Sequence, residues 1–428
     1  MKKYSLVLLS AGILTLSIPF SASGSTAAAI PLGKQVLAPG DGWASEGRGT
    51  TGGSAASVVQ TVTTRKQLVD ALTAGGSTPK IIEVSGAIDF NVDDHNRPLT
   101  FEDYIEGTPY ISYEKYFEDL KNASTKEKAE GDRTAAHKKQ EARVQVNIPS
   151  NTTIVGKPGT NAAIIGGNLI IGKGSDNVII RNIEFKDAYD YFPKFEANDG
   201  KNGAWNAYYD NISIRGGTHV WIDHCTFSDG DRIDLENHTI ENRRLQHHDG
   251  LVDIGGGSDF ITLSYNHFYN HDKTMMIDGT KPKEDKHITT PIRVTLHHNY
   301  FENFGQRAPR VNDGQVDIYN NFYKASKSSS NGYNYKHSWG YDEGALMYAE
   351  NNAFEISGET KIASNQSGIR QPIVLFDKGT LLNGKRVEVD KNEDWASNVG
   401  WQPTLRLNVQ PTAEVKSTVT AEAGAGKL

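Results

Sequence analysis

Three short segments concentrate the charged residues whose types and spacing could do chemistry. His247–Gly250 precedes Asp253, Asp272 is followed by Lys273, and Gln306–Arg310 contains two arginines. Clustered carboxylates are the ligands of a hard cation, and clustered cationic side chains neutralise an anionic substrate. Together the segments predict an enzyme that binds a negatively charged polymer through a bridging metal ion.

Asp249 and Asp253 can share one metal site only if the chain turns between them. In a straight strand they would lie ~13 Å apart on one face, and Gly250 permits a sharp bend. Asp210 lies 39 residues before Asp249, and on a neighbouring coil of a stacked structure it would be ~4.8 Å away. Three such carboxylates suit Ca²⁺ better than Mg²⁺ or Zn²⁺. In a fold without stacked coils, aspartates that cap turns would be the better interpretation.

The cationic residues suit recognition of carboxylate groups. Arg307 and Arg310 are three residues apart, with Pro309 stiffening the segment, and a guanidinium offers a two-pronged hydrogen-bonding fork. Structural salt bridges are the alternative for both arginines, and a solvated side chain is the alternative for Lys273. A shared location beside the carboxylates would favour substrate binding for all three.

Other catalytic classes find less support in the sequence. The nearby histidines, His247, His248 and His271, lack a zinc spacing with a third ligand, so structural hydrogen bonds are expected of them. Gly255–Gly257 is a turn without the lysine of a phosphate-binding loop. A glycosidase with paired carboxylates stays open, since aspartates at a suitable separation could hydrolyse a glycosidic bond.

The elements that must position these residues are strands in a loose repeat. From about Ile164 onward, a β-rich apolar run, a small polar residue, an aromatic residue and a turn recur. The aromatic residues are 22 to 42 residues apart: Phe185, Phe227, Phe268, Phe301, Tyr323 and Phe354. An asparagine falls two places before each of the last four: Asn266, Asn299, Asn321 and Asn352.

This repeat predicts a parallel β-helix, in which each coil covers the apolar face of the next. Asparagines at one register indicate an amide ladder, with the asparagines in left-handed bends between sheets. An antiparallel sandwich or propeller is the alternative, although hairpin dipeptides are scarce. Tyr104–Arg143, rich in Glu, Lys and Ala, predicts one or two surface helices and a loop. The chain from Trp395 onward is expected to pack on the flank of the coil.

The N-terminus has the pattern of a secretory signal peptide. Basic residues precede an apolar run that ends near Phe20, and small residues follow. Residues 1–29 are therefore predicted to be a signal peptide, cleaved after Gly24 or Ala29, and residues 30–428 a single secreted domain. No later segment has the apolar length of a membrane span, so a membrane partner is not expected.

The composition limits the partners and the redox chemistry. The chain has 45 Lys and Arg against 52 Asp and Glu, a net charge of −7. This acidity argues against a nucleic-acid partner, and it requires a bound cation to invert the local field for an acidic substrate. Cys225 is the single cysteine, so no intrachain disulfide can form, and its apolar neighbours predict a buried, unreactive thiol.

Several motifs, spread over nearly the whole mature chain, resemble a known family. They are Gly42–Ser45, Gly49–Gly53, Ile148–Gly156, Asn177–Phe185, Val220–His224, His247–Gly250, Gln306–Val311 and Ala423–Leu428. With these motifs the chain resembles the secreted pectate lyases of polysaccharide lyase family 1. The Trp-Ile-Asp-His and Arg-Ala-Pro-Arg motifs are the specific ones, and the glycine-rich N-terminal stretch is less so. The resemblance implies an all-β, right-handed parallel β-helix with surface helices and long loops.

The resemblance also implies roles for individual residues. Asp210, Asp249 and Asp253 match the primary calcium ligands of the family. Arg307 matches the catalytic base, and Lys273 matches a contact to the substrate carboxylate. The implied reaction is calcium-dependent β-elimination on α-1,4-polygalacturonate, which leaves a 4,5-unsaturated oligogalacturonate. Because an arginine normally keeps its proton, an alkaline optimum is expected.

Two further positions follow from the resemblance, and one departs from it. Asn206 and Asp199 match positions that could serve additional, substrate-bridged calcium. Members of the family commonly have a substrate-binding arginine two places after Arg310, but this chain has Asn312 there, followed by Asp313. We expect Arg310 to compensate as a substrate contact; tolerance of partly methylated pectin is another reading of the change.

The partner expected of a monomeric enzyme of this kind is polygalacturonate or pectin. Two other functions stay open. A pectin lyase acting on methyl esters would need no calcium, and a non-catalytic polysaccharide-binding β-helix would keep the coil without turnover.

Overall fold

The strands of the computed structural model stack into three long sheets. The structure describes residues 30–234, 239–279, 292–342, 344–358, 361–366, 374–387 and 399–428. The predicted signal peptide, residues 1–29, lies outside the described residues. Sheet 1 contains, in spatial order, Val59–Val62, Lys80–Val84, Thr152–Gly156, Asp176–Arg181, Thr218–Asp223, Asp259–Ser264, Ile292–His297, Gly314–Tyr319, Ala345–Glu350 and Val374–Lys378.

The other two sheets run alongside sheet 1. Sheet 2 contains Ala87–Asp89, Ala163–Ile165, Glu184–Lys186, Thr226–Ser228, His267–Lys273, Tyr300–Gln306, Phe322–Ser326, Ala353–Ser357, Leu381–Leu382 and Lys385–Arg386. Sheet 3 contains Gln145–Asn147, Asn168–Gly172, Ile212–Arg215, Val252–Gly255, Met276–Asp278, Arg310–Asn312, Trp339–Tyr341 and Ala363–Asn365. Two small antiparallel hairpins lie outside the sheets: Lys194–Glu196 with Ala204–Asn206, and Thr239–Ile240 with Arg243–Arg244.

The chain visits the three sheets in turn, once per coil. Ile212–Arg215 of sheet 3 leads to Thr218–Asp223 of sheet 1 and Thr226–Ser228 of sheet 2, before the next coil starts at Val252–Gly255. Successive strands pair in parallel, for example Ile212 with Val252. The predicted parallel β-helix is confirmed, and the parallel pairing rules out the antiparallel sandwich or propeller.

The core lies inside the coil because apolar side chains alternate along the strands. In sheet 1, Val220 and Ile222 are fully buried and lie in register with Ile261 and Leu263 of the next coil. The predicted aromatic positions form one continuous stack, with ring centroids 4.2 to 5.2 Å apart: Phe185, Phe227, Phe268, Phe301, Tyr323 and Phe354. Offset stacking of buried rings adds to the free energy gained from burying their area.

The predicted asparagine ladder is present, but its backbone differs from the prediction. Asn299 accepts hydrogen bonds from the backbone and the side-chain amide of Asn266, both at 3.0 Å, and Asn321 accepts the same pair from Asn299. The left-handed backbone belongs to the residue before each ladder asparagine, such as Tyr265 and His298. That preceding residue turns the chain, so the asparagine side chain stays free to satisfy buried backbone groups.

Helices cover the outside of the coil. They are Arg65–Thr73, Phe101–Ile105, Tyr113–Leu120, Lys126–Val144 and Thr412–Glu422, with short 3₁₀ turns at Leu32–Lys34 and Trp43–Ser45. The one or two surface helices predicted in Tyr104–Arg143 are confirmed as Tyr113–Leu120 and Lys126–Val144, and a third, Phe101–Ile105, overlaps the start of this region. Thr100 and Asp103 form a reciprocal capping box at the first of these three helices. Their apolar faces pack on an aromatic cluster that includes Phe192 and Trp205.

The C-terminal helix and the single cysteine behave as the sequence suggested. Val415 and Val419 of the helix Thr412–Glu422 pack against Phe322 on the flank of sheet 2. Cys225 is fully buried, and burial raises the pKa of its thiol to about 12, so it is not a nucleophile. None of the helices within the described ranges combines the length and the apolar character needed to cross a lipid bilayer.

Candidate active site

The site lies where the chain enters the strands of sheet 3 on adjacent coils. Asp210 precedes the strand Ile212–Arg215, and Asp253 belongs to the neighbouring strand Val252–Gly255, in register with Ser213. The backbone N–H of Asp249 donates to the carbonyl of Tyr209 at 3.2 Å. Stacking of coils therefore brings together residues that are some forty positions apart, as expected for a parallel sheet.

Three carboxylates converge at this edge. Oxygen atoms of Asp210, Asp249 and Asp253 all lie within 4.8 Å of one another. Asp210 is fully buried, whereas the side chain of Asp249 remains 29% exposed. Asp210 accepts hydrogen bonds from the hydroxyl of Ser213 at 2.5 Å and from the N–H of Gly250 at 3.0 Å. The three carboxylates are thus closed off at Asp210 and open to solvent at Asp249. This arrangement suits a metal ion that must also bind a ligand from solution.

Position 250 needs a glycine because there is no room for a side chain there, and not because of its backbone conformation. The chain does turn between Asp249 and Asp253, as their convergence requires, but the bend lies at Leu251, one residue after the predicted position, and Gly250 is not in the left-handed region. A Cβ at position 250 would stand 2.4 Å from Oδ1 of Asp253 and 2.9 Å from Oδ1 of Asp210. The missing side chain leaves the volume into which the carboxylates point.

The carboxylates repel one another. Burial raises the pKa of Asp210 to about 6, with the charge of Asp249 adding to the effect. Burial and the charges of Asp210 and Asp249 raise the pKa of Asp253 well above its usual range. Burial acts most strongly, to raise the pKa of Asp249, but the ammonium of Lys273 together with Arg307 and His271 outweighs it and the net pKa is lowered. Such a cluster favours an added cation.

Two cationic residues adjoin the carboxylates. Nζ of Lys273 donates to Oδ1 of Asp249 at 2.8 Å, and the lysine is 7% exposed. Arg307 directly follows Gln306, which is paired in register with Lys273, and its positive charge acts to lower the pKa values of Asp249 and Asp253. Arg307 has a left-handed backbone with φ of 60°, and its carbonyl accepts the N–H of Met275 at 2.7 Å. Its buried Nε has no hydrogen-bond partner within the described part of the chain.

Arg310 lies in sheet 3 but already has a partner. Its Nε donates to Oδ2 of Asp342 at 2.6 Å, and the side chain is 27% exposed. Asn312, at the position where an arginine is common in the resembled family, donates to Asp278 at 3.2 Å. The structure therefore shows the salt bridge that was the alternative for Arg310, although its side chain remains partly exposed.

Asn206 and Asp199 are brought together on a separate hairpin. Nδ2 of Asn206 donates to Oδ2 of Asp199 and to Oε2 of Glu196, both at 3.1 Å. These residues are not part of the carboxylate group around Asp210. Glu196 was missed by sequence reasoning, because its relation to Asn206 depends on the antiparallel pairing of two short strands.

Other residues of the site were also missed. Ser213 and Arg215 alternate with buried isoleucines along their strand and point outward, a period of two that could have signalled them. A guanidinium nitrogen of Arg215 lies 3.5 Å from Oδ2 of Asp210, and the side chain is 55% exposed. Arg215 therefore adds a further positive charge beside the carboxylates.

The predicted structural role of the histidines agrees with their contacts. His248 lies between Asp187 and Asp234, with ring nitrogens 3.2 Å from each carboxylate. His247 is within 2.8 Å of the carbonyl of Asp190, and burial lowers its pKa to about 4. Both rings are buried, and among the described residues neither belongs to a group that could hold a metal ion.

Comparisons with known proteins agree with this geometry. Residues 120–428 match the family model described as pectate lyase. A pectate lyase of Bacillus subtilis (strain 168) is 46% identical over 408 residues, which covers 94% of this chain and 95% of that protein. Pectate lyase E of Dickeya dadantii (strain 3937) is 32% identical over 414 residues, covering 95% and 91% respectively.

A solved structure described as pectate lyase bound to hexasaccharide superposes with a TM-score of 0.85. It is 45% identical and covers 93% of this chain and all of that chain. Sequence, fold and site geometry thus lead to one assignment, and the chain belongs to the pectate lyase family.

Proposed function

We propose that this pectate lyase cleaves α-1,4-polygalacturonate by calcium-dependent β-elimination and releases 4,5-unsaturated oligogalacturonates. The observation that carries the proposal is the group of Asp210, Asp249 and Asp253, with oxygens within 4.8 Å of one another. Lys273 and Arg307 adjoin this group. A site of this kind can hold a hard cation and, on its open side, a uronate carboxylate.

The residues present fit Ca²⁺. The donor set is entirely carboxylate oxygen, which suits a hard ion, and the group is loose enough to leave room for substrate and water oxygens. The absence of a Cβ at Gly250 provides the space in front of Asp210 and Asp253. The raised pKa values of these two acids reflect their burial and the negative charge of neighbouring aspartates, and a divalent cation would offset both.

Different residues of the chain would contribute to separate parts of the elimination. Bound Ca²⁺ would neutralise the uronate carboxylate and thereby acidify the adjacent C5 proton. In its neutral form, Arg307 would take that proton, and the C5–H electron pair would become the C4–C5 double bond as the glycosidic oxygen leaves C4. Lys273 would stabilise the negative charge that develops on the carboxylate, and the partly exposed Arg310 would add to this stabilisation. The arginine ends the step as guanidinium.

The test is the ultraviolet absorbance of the unsaturated product on polygalacturonate, with and without a chelator. We expect absorbance that EDTA abolishes and added Ca²⁺ restores, and an Arg307→Ala variant that makes no product but still binds Ca²⁺. Activity that persists in EDTA and prefers methyl esters would indicate a pectin lyase. Chain cleavage without absorbance would indicate a hydrolase, and binding without cleavage a carbohydrate-binding β-helix.

Asn312 is proposed to weaken recognition of one uronate carboxylate. It carries no charge at a position in sheet 3 beside Asp278. We expect Asn312→Arg to lower the KM for fully de-esterified substrate more than that for partly methylated pectin. Equal changes in KM for both substrates would contradict this role.

A second calcium is proposed at Asp199 and Asn206, bridged by bound substrate. Nδ2 of Asn206 donates to the carboxylates of both Asp199 and Glu196, so Glu196 is a further source of carboxylate oxygen beside these two residues. Calcium titration with and without oligogalacturonate tests it, since an Asp199→Asn variant should lose only the part of the binding that depends on the sugar.

We also propose that the protein is exported and is a monomer. N-terminal sequencing of protein from culture medium should start just after Gly24 or Ala29, and light scattering should give the mass of one mature chain. Secreted protein whose N-terminus is Met1 would contradict cleavage of a signal peptide, and the mass of a dimer would contradict the monomeric state.

A further inference from the structure

A buried chain of hydrogen bonds lies beneath the carboxylates. The hydroxyl of Tyr333 donates to Oδ2 of Asp229. Oδ1 of the same carboxylate is 2.5 Å from Nδ1 of His271. On the other side of the ring, Nε2 is 2.9 Å from the carbonyl oxygen of Asp249 and 3.0 Å from that of Lys273.

All three members of this chain are removed from solvent. His271 is 2% exposed, and Asp229 and Tyr333 are 1% exposed. A carbonyl oxygen can only accept, so Nε2 of His271 carries the proton that Asp249 and Lys273 share. Asp229 faces the opposite nitrogen and thereby sets the orientation of the ring, as carboxylates do for histidines in metal sites.

The two carbonyls belong to residues whose side chains meet at the site. Oδ1 of Asp249 and Nζ of Lys273 are 2.8 Å apart, although the two residues lie on different coils. The N–H of Leu251 donates to the carbonyl of Thr274 at 3.0 Å next to them, and the shared imidazole adds a bridge between the carbonyls of Asp249 and Lys273 themselves. A shift of the Lys273 strand relative to Asp249 would break one of the two bonds and move the ammonium away from the carboxylate.

We propose that His271 is a positioning residue, oriented by Asp229 and Tyr333, that holds Asp249 and Lys273 in the geometry required for calcium and uronate binding. The inference rests on the proposed calcium function. It assigns His271 no contact with substrate and no proton transfer. Its effect reaches the site only through the two carbonyl oxygens.

The experiment compares His271→Gln, Tyr333→Phe and a control, His297→Gln, by calcium calorimetry, thermal unfolding and steady-state kinetics. His297 is also buried, but it stacks on Tyr319 at 5.0 Å in sheet 1, away from the carboxylates. For His271→Gln we expect a loss of calcium affinity of about 10- to 100-fold, the usual effect of removing a partner behind a metal ligand. The KM for polygalacturonate should rise in parallel, because Lys273 is displaced.

The control separates positioning from general stability. His297→Gln should lower the unfolding temperature while calcium affinity and KM stay within about twofold of the parent enzyme. Tyr333→Phe removes one hydroxyl and should lose less than tenfold in calcium affinity, which gives an answer even if His271→Gln does not fold. Unchanged calcium affinity in the folded variants, or an equal loss in His297→Gln, would overturn the inference. A parent enzyme that binds no calcium would instead defeat the proposed function.

Discussion

Replacing Gly250 by alanine tests the carboxylate site with the smallest possible change. The new Cβ would lie 2.4 Å from Oδ1 of Asp253 and 2.9 Å from Oδ1 of Asp210, whereas ordinary contacts begin at 3.4 Å. One carboxylate must therefore move by about 1 Å, and both have flexible ends that can do so. Overfilling a tight site typically costs ~1–3 kcal/mol. Expressed in ligand binding, this corresponds to a loss of about 5- to 150-fold in calcium affinity.

Calorimetric titration with calcium measures the affinity, and the product absorbance at saturating and limiting calcium measures the consequence. We expect Gly250→Ala to need more calcium for half-maximal activity while its circular dichroism stays that of the parent. Gly131→Ala is the matched control, since a Cβ there meets nothing within 4 Å, and the helix Lys126–Val144 should gain about 1 kcal/mol of stability. Parental calcium affinity in a folded Gly250→Ala protein would refute the claim that these carboxylates hold the ion.

Three further predictions concern the base and the coil. The rate should rise towards alkaline pH, because Arg307 must act as the neutral guanidine; a pH–rate profile with an acidic maximum would count against this base. Phe301→Ala should reduce the free energy of unfolding by about 3–5 kcal/mol, since it opens the stack between Phe268 and Tyr323 at 4.9 and 4.8 Å; a loss under 1 kcal/mol in urea titration would mean that the coil repacks. Burial, and to a smaller extent the neighbouring His297, lowers the pKa of His298 to about 2. As the pH falls, this histidine therefore becomes protonated in the unfolded chain at a higher pH than in the folded chain. Stability should therefore fall below about pH 6.5, by up to ~1.4 kcal/mol per pH unit, and His298→Gln should flatten the slope; parallel curves for the two proteins would contradict this source of acid sensitivity.

The stacks and ladders explain how the coil holds the three carboxylates close together. The asparagine ladder and the aromatic stack run along the corner and inner face of sheet 2, and they fix the spacing of successive coils. Asp210 and Asp253 are attached to coils held in this way, so they cannot separate to relieve their repulsion. The rigidity of the scaffold, and not attraction within the site, keeps the oxygens within 4.8 Å.

The amino-acid sequence by itself determined the features that repeat or alternate locally. The recurring apolar strands such as Thr218–Asp223, the register of Phe301 and the ladder of Asn299 follow from patterns a few residues long, and they specify a parallel β-helix. The same spacing placed Asp210 and Asp249 on neighbouring coils.

Only the tertiary structure decided how the side chains meet across coils. Asp249 and Asp253 converge because the chain bends at Leu251, and the salt bridge of Arg310 with Asp342 spans 32 residues. The loops between strands differ in length from coil to coil, so sequence separation does not tell which outward side chains become neighbours. The burial of His271 beneath them is likewise a consequence of stacking, since its partner Asp229 lies on another coil.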